Sequence, residues 1–331
     1  MLPKLLFHFK KFLTFLFTFN PCIAFRLLVF PYFTSTRHNY QGFALHHSMV
    51  LAYLRKKFKK TLNQFKTPSP PLSFDPAYPI WFLWFQGEEA MPLIVKACYQ
   101  TLLQHSNGHP VNLVTRENYV TYVTLPDFLL DKVNKGKISL THFSDIMRLA
   151  LLHEHGGLWV DSTVLLTKPL QPLPEISSYL GFWTPKDDGK IIATCFGASN
   201  WIIRDGRWVT FCFYSSKNNI MIYNVLSLYL AYVKKYNVLI DYFLFDYLFA
   251  LAYETLPQAR IMIDSVPPNN PQVHEIYHRL GLDHPYNEAL FNAICETTAF
   301  HKLNWKEEFP EYTPQGELTN YGHIIRNYPG L

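Results

Sequence analysis

An unbroken apolar run, Tyr78 to Phe85 (YPIWFLWF), constrains this chain more than any other feature. It is short, aromatic and without polar alternation, so it reads as a strand buried on both faces, as in a parallel sheet. It stops at Gln86-Gly87, where a sheet edge and a turn are expected. Helical spacing follows from Met91 to His105, with Pro92 in the first turn, and then a short strand, Val111 to Val114. Leu125 to Lys135 holds a short helix begun at Pro126. The strongest helix is Thr141 to His155, where Phe143, Ile146, Met147, Ala150, Leu151 and Leu152 recur at three- and four-residue spacing. Gly156-Gly157 ends it, and Leu158 to Val160 forms a strand closed by Asp161. Strand–helix–strand–helix–strand predicts an α/β fold with a mostly parallel sheet. Ligands of such sheets sit outside the carboxyl ends of the strands, the edge on which Gln86, Gly87 and Asp161 all fall.

Beyond Leu170 the pattern is mixed. Tyr179 to Thr184 and Ile191 to Ala198 read as strands, and Met221 to Lys235 and Asp241 to Tyr253 as aromatic-rich helices. Thr67-Pro68-Ser69-Pro70-Pro71 favours an extended spacer. It divides a helical arm over 1–66 and a linker over 67–77 from a body over 78–331.

Charge separates the same parts. Met1 to Lys66 contains 11 of the 30 Lys and Arg residues and no Asp or Glu, which leaves 19 basic and 25 acidic residues beyond it, a net of −6. A basic arm rich in Phe and Leu is suited to an anionic lipid surface, with lysines and arginines reaching headgroups. A helical cap on the body is the alternative. The longest clean apolar stretch, Phe12 to Phe19, is too short to span a bilayer, which needs about 20 residues. Charge and length admit a signal peptide, but no small-residue cleavage site stands near Thr34 to Asn39. The body has no basic stripe and no nucleic-acid motif, so no nucleic-acid partner is expected. Five scattered cysteines without metal spacing point to free thiols in a reducing compartment. Together these place the chain in the cytoplasm, peripheral on the inner face of the membrane.

Two groups of residues can do chemistry. Asp145 and Arg148, three apart on one helix face, can grip neighbouring sugar hydroxyls or simply form a local ion pair. Asp161, directly after a buried strand, can hold Mg²⁺ or Mn²⁺ together with diphosphate oxygens, or cap its turn. Ser144-Asp145-Ile146-Met147-Arg148, a helix, Gly156-Gly157 and then a strand ending in Asp161 together resemble the centre of the glycosyltransferases with a DxD motif. These include the yeast mannosyltransferase-like proteins, the large clostridial toxin catalytic domains and the bacterial capsular polysaccharide synthesis proteins. The likeness to the last group covers nearly the whole body. It runs through Ile80 to Gly87, Ser139 to Asp145, Asp161 to Leu170, Val266 to Pro271 and His301-Lys302-Leu303.

The resemblance implies a GT-A-like nucleotide-sugar-binding domain with helical C-terminal additions. It implies transfer of a sugar from a nucleoside diphosphate donor, UDP-sugar foremost, to a glycan or lipid-linked glycan acceptor, with retention of configuration. By position, Trp84 matches an aromatic that stacks on the nucleotide base, its alternative being a buried strand aromatic. Asp145 and Arg148 match the pair holding the donor sugar, and Asp161 the first acid of DxD, which contacts ribose and metal. Gln86, Gly87, Ser144 and Gly157 flank the donor site. His301 and Lys302 fall where related enzymes close over the diphosphate, or else are ordinary surface polarity. Asp241 faces acceptor or sugar, or is a helix N-terminal acid favoured by the dipole. One departure from the pattern is Thr163, which stands where the second DxD acid is expected. A hydroxyl binds Mg²⁺ more weakly, so Asp161 and Thr163 form a weakened site for Mn²⁺ or Mg²⁺. The same departure favours a rival reading, a non-catalytic membrane-associated scaffold of a glycan-assembly complex. A nucleotide-sugar hydrolase or phosphotransferase is disfavoured by the lack of any phosphate-cradling glycine run. The histidines His46, His47, His105, His153 and His155 show no ligand spacing and are read as structural or surface.

Overall fold

The computed structural model describes residues 2–25, 40–65, 76–171, 179–181, 209–264 and 269–328. The proline run after Thr67, the strand expected over Ile191–Ala198, and Val266 to Pro268 lie outside them. Helical turns of five residues or fewer apart, the described helices and strands are α1 (Leu2–Thr18), α2 (Tyr40–Lys57), β1 (Ile80–Leu83), α3 (Leu93–His105), β2 (Val111–Val114), α4 (Asp127–Asn134), α5 (Leu140–His155), β3 (Gly157–Val160), β4 (Val164–Leu166), β5 (Tyr179–Gly181), β6 (Cys212–Ser215), α6 (Ile220–Lys235), α7 (Leu244–Thr255), α8 (Pro257–Asp264), α9 (Glu288–Thr297), β7 (Phe300–Lys302) and α10 (Asn320–Asn327).

The apolar run that opens the body is the middle of a parallel trio. Ile80 to Leu83 pair with Val111 to Val114 on one side, and Ile80 to Phe82 with Leu158 to Val160 on the other. β6 joins β3 antiparallel and β5 joins β6 antiparallel, giving the order β2-β1-β3-β6-β5. Four of the five strands therefore point the same way and β6 alone is reversed. Burial on both faces is what the unalternating sequence requires. Trp81, Trp159 and Phe213 face one core with α5, α6 and α7. Ile80, Phe82, Leu158, Val160 and Tyr214 face a second core with α3, α9 and β7.

Local chemistry sets where α5 begins and ends. The Ser139 side chain accepts the His142 amide as N-cap, and Gly156 takes φ +70° after the last turn. Ile146 and Met147 are wholly buried, each stabilising the fold by about 1.5–3 kcal/mol relative to exposure. Both glycines of the pair are dictated by packing. A Cβ on Gly156 would lie 2.6 Å from the Lys217 amide nitrogen, and one on Gly157, whose φ is +102°, 2.1 Å from the Pro79 carbonyl oxygen.

The segment expected as an arm is built into the body. Phe15, Val50, Leu54, Phe58 and Leu62 belong to the first core. His47 bonds the Tyr247 hydroxyl, Tyr53 bonds the Tyr236 hydroxyl at 2.8 Å, and Arg55 pairs with Glu254. Outward on α1, Phe9 and Phe17 remain exposed, and Phe25 is exposed beyond it. No helix among the described residues is long and apolar enough to cross a membrane.

Candidate active site

At the carboxyl end of β3 four charged side chains interlock. Asp161 leaves the strand half-buried, its amide donating to the Phe211 carbonyl at 2.8 Å. Its Oδ1 accepts from Arg148 Nη2 at 2.9 Å and from Trp159 Nε1 at 2.7 Å. Its Oδ2 accepts from Lys302 Nζ at 2.9 Å. The same ammonium donates to Thr163 Oγ1 at 2.8 Å. Arg148 also reaches Asp145, at 3.6 Å, and donates to the Thr210 carbonyl. Its guanidinium lies against the rings of Trp159 and Phe245, 4.7 and 5.3 Å from their centroids. Asp145 Oδ2 accepts from the Tyr229 hydroxyl at 3.2 Å.

The partners come from three places in the chain: α5, the turn between β3 and β4, and β7. Asp145 and Arg148 share one face of α5, whose C-terminus turns directly into β3. The antiparallel pairing of β4 with β7 sets Lys302 opposite Val164, so that it reaches back over the Asp161–Thr163 turn. The two acids respond oppositely to this setting. Burial pushes the Asp145 carboxyl up, and Arg148 only partly offsets it. Burial acts the same way on Asp161, but the charges of Lys302 and Arg148, with hydrogen bonds from Lys302 and Trp159, outweigh it and hold that carboxyl below its usual range. Two acids against two cations leave the cluster formally neutral, with side-chain exposures of 5% (Arg148), 14% (Asp145), 18% (Lys302) and 24% (Asp161).

Asp145, Arg148, Asp161, Thr163 and Lys302 are thus brought together from the residues singled out in the sequence. Ser144 is half-buried beside Asp145 on α5. Gln86 is exposed and Gly87, at φ +87°, turns the chain at the carboxyl edge of β1.

Four expectations change. Gly157 stands at the amino end of β3, the opposite end from Asp161, and serves backbone packing against Pro79 instead of the donor. His301 alternates with Lys302 along β7 and points the other way. It is fully buried, 3.1 Å from Thr167 Oγ1, and burial lowers it to about 3. Trp84 takes the alternative reading of a buried strand aromatic: its indole N–H donates to the Ala90 carbonyl at 3.2 Å, and Trp305 packs perpendicular to it at 5.2 Å. Asp241 precedes α7 and does not begin it. Its Oδ1 accepts the Phe243 amide at 2.9 Å and its Oδ2 is 2.7 Å from His46 Nε2.

The sequence reading missed Trp159, Tyr229, Phe245 and the 41%-exposed Trp305. For Trp305 a signal existed, an aromatic three residues beyond Lys302. Tyr229 and Phe245 had none, because only the packing of α6 and α7 on α5 brings them near. As a divalent-cation site, Asp161 and Thr163 fit poorly. They supply one carboxylate and one hydroxyl, both already bonded to an ammonium. Among the described residues no three His, Cys, Asp or Glu side chains come together in a metal-binding group.

Two solved structures are similar to this chain at low identity. The WbbM bifunctional glycosyltransferase in its apo form is 13% identical, over 80% of this chain and 51% of that one, with a TM-score of 0.42. The PaToxG glycosyltransferase is 16% identical, over 76% of this chain and 95% of that one, with a TM-score of 0.37. This chain spans about half the length of the first. No curated protein matches it. The model of one family, described as capsular polysaccharide synthesis protein, matches residues 31–324 and so takes in α2 as well as nearly the whole body with its charged cluster. The chain belongs to the capsular polysaccharide synthesis protein family.

Proposed function

We propose that this chain is a GT-A-like glycosyltransferase that moves a sugar from a nucleoside diphosphate donor, a UDP-sugar foremost, to a hydroxyl of a glycan or lipid-linked glycan acceptor. The observation that supports it most is the neutral cluster at the sheet's carboxyl edge, where α/β folds receive ligands. Asp145 and Arg148 can hold sugar hydroxyls through charge-assisted hydrogen bonds. Lys302 is the cation that meets the negative charge growing on the departing diphosphate in this reading, and a preorganised cation of that kind lowers the barrier. Retention of configuration is part of this reading and rests on the family likeness alone.

A lipid-linked acceptor accords with the outer side of α1. Exposed Phe9, Phe17 and Phe25 accompany exposed Lys10 and Lys11, a combination suited to an anionic leaflet. The test of the reading is calorimetry and thermal shift with UDP-, GDP-, CMP- and dTDP-sugars on the wild type and on Asp161→Asn. Binding of one nucleotide class, weakened by the substitution in a folded variant, supports transfer, and release of a glycosylated acceptor completes it. A folded wild type that binds none of them favours the non-catalytic scaffold, the reading to which Thr163 in place of an acid lends weight.

A further inference from the structure

We propose that Lys302 takes the place of a metal ion in this site: its ammonium is a built-in cation for the donor diphosphate, and the reaction needs no divalent cation. This rests on the transferase reading and concerns how that site handles charge.

The lysine is held by its backbone and not only by its tip. Its amide donates to the Val273 carbonyl at 2.7 Å, and the next amide, Leu303, donates to the Thr163 carbonyl at 2.8 Å. The pairing of β7 with β4 sets it opposite Val164. A side chain anchored this way returns Nζ to one spot, between Asp161 Oδ2 and Thr163 Oγ1. Those are the two oxygens that the sequence pattern assigns to a metal, and the ammonium already bonds both.

Charge and valence support the same assignment. Both oxygens of Asp161 are engaged, Oδ1 by Arg148 and Trp159 and Oδ2 by Lys302. A divalent ion taking Oδ2 would have to displace the ammonium and add two positive charges beside two existing cations. A threonine hydroxyl in place of a second carboxylate does nothing to offset them. An ammonium has three N–H donors, of which Asp161 and Thr163 use two. Among the described residues no third acceptor bonds this ammonium; the Phe211 ring centroid lies 5.2 Å from Nζ, and the 18%-exposed side chain leaves the third N–H for a phosphate oxygen.

In the transfer step the bond from the anomeric carbon to the diphosphate oxygen breaks and its electron pair stays with the diphosphate. The acceptor oxygen forms the new bond, and its proton passes to the released phosphate oxygen. Lys302 stays protonated throughout and stabilises the charge that the diphosphate gains.

The experiment titrates UDP, GDP, dTDP and CMP into the wild type, Lys302→Met, Lys302→Arg and the double variant Lys302→Met with Thr163→Asp. Each is measured in EDTA and in Mn²⁺, with circular dichroism confirming the fold. The expected wild-type affinity for its nucleotide is the same in EDTA and Mn²⁺. Lys302→Met weakens it by about tenfold or more, the size of a lost charge-assisted hydrogen bond, and Lys302→Arg keeps most of it. The double variant binds only with Mn²⁺. Wild-type binding that collapses in EDTA overturns the proposal while leaving the transferase reading intact. So does a folded Lys302→Met that keeps full affinity in EDTA. If no nucleotide binds the folded wild type in either buffer, the transferase reading fails and this proposal falls with it.

Discussion

Charge joins distant parts of this chain in two places, and the two are built differently. At the end of β3, Arg148 and Lys302 share Asp161, and Arg148 also serves Asp145, so that the four charges form one continuous chain. Where α2 meets the body, His46 pairs with Asp241 and Arg55 with Glu254 as separate couples, and the second is 49% and 36% exposed. An interlocked, water-poor cluster loses heavily when one member goes, because a buried charge is left uncompensated. A separate pair open to water, as Arg55–Glu254 is, loses little. The first arrangement suits a site that must meet an incoming charged ligand with fixed geometry, the second a seam that only has to hold a helix in place.

The largest effect expected from this contrast is that of Arg148→Met. Removing the guanidinium strands Asp145 and Asp161 together, and chemical denaturation should show a loss of about 3–5 kcal/mol along with loss of donor binding. A loss below about 1 kcal/mol would mean that the cluster is no tighter than a surface pair.

Acid separates the two places by pH. His47, at the α2 seam, is lowered from 6.5 to about 4, chiefly by burial, with His46 adding to it. Its folded value lies below its unfolded one, so the unfolded chain binds the extra proton. Stability from its burial is complete above about pH 6.5 and drains as pH falls toward 4, by about 2 kcal/mol at pH 5. His274 and His301, both lowered to about 3, drain in the same window. Asp161, depressed in the folded state, contributes stability that is present above its unfolded value and lost only as pH falls below it. The stability of wild type relative to His47→Phe should therefore fall by about 2 kcal/mol between pH 7.5 and pH 5. An unchanged difference would show that His47 is not buried as a neutral group.

Asp241→Asn keeps an oxygen for the Phe243 amide and removes only the charge facing His46. A cost of about 1 kcal/mol is expected, with donor affinity unchanged. Loss of turnover at intact stability would instead place Asp241 in the acceptor site and blur the contrast between the two regions. The smallest effect is that of Arg55→Ala, below about 1 kcal/mol and fading with added salt.

Much of this contrast was legible in the residues alone. Helical spacing and unalternating apolar runs located α3, α5, α6 and β1 to β3 within a few residues, because burial of a face imposes its period on the chain. The site acids stood out for a related reason, since an acid directly after a fully buried strand has to emerge at a sheet edge. Gly156-Gly157 read as a helix stop, and that is what Gly156 is. The expectation of Gly157 as a donor contact comes from the resemblance, whereas its place before Leu158 to Val160 already sets it at the amino end of the strand. His301 and Lys302 looked equivalent as neighbours in sequence, and the two-residue period of β7 sends them to opposite sides.

The sequence by itself determined the α/β character, the order of elements, the basic acid-free first segment, and the residue types present at the end of β3. These depend on local period, composition and turn chemistry, all of which are written within a few residues of each other. Only the tertiary structure decided that Lys302 crosses 141 positions to Asp161, that Tyr229 and Phe245 line the cluster, and that α2 is seated against α7 in a shared core. Those contacts depend on strand pairing and helix docking, where many distant segments compete for the same apolar surface and packing selects among them.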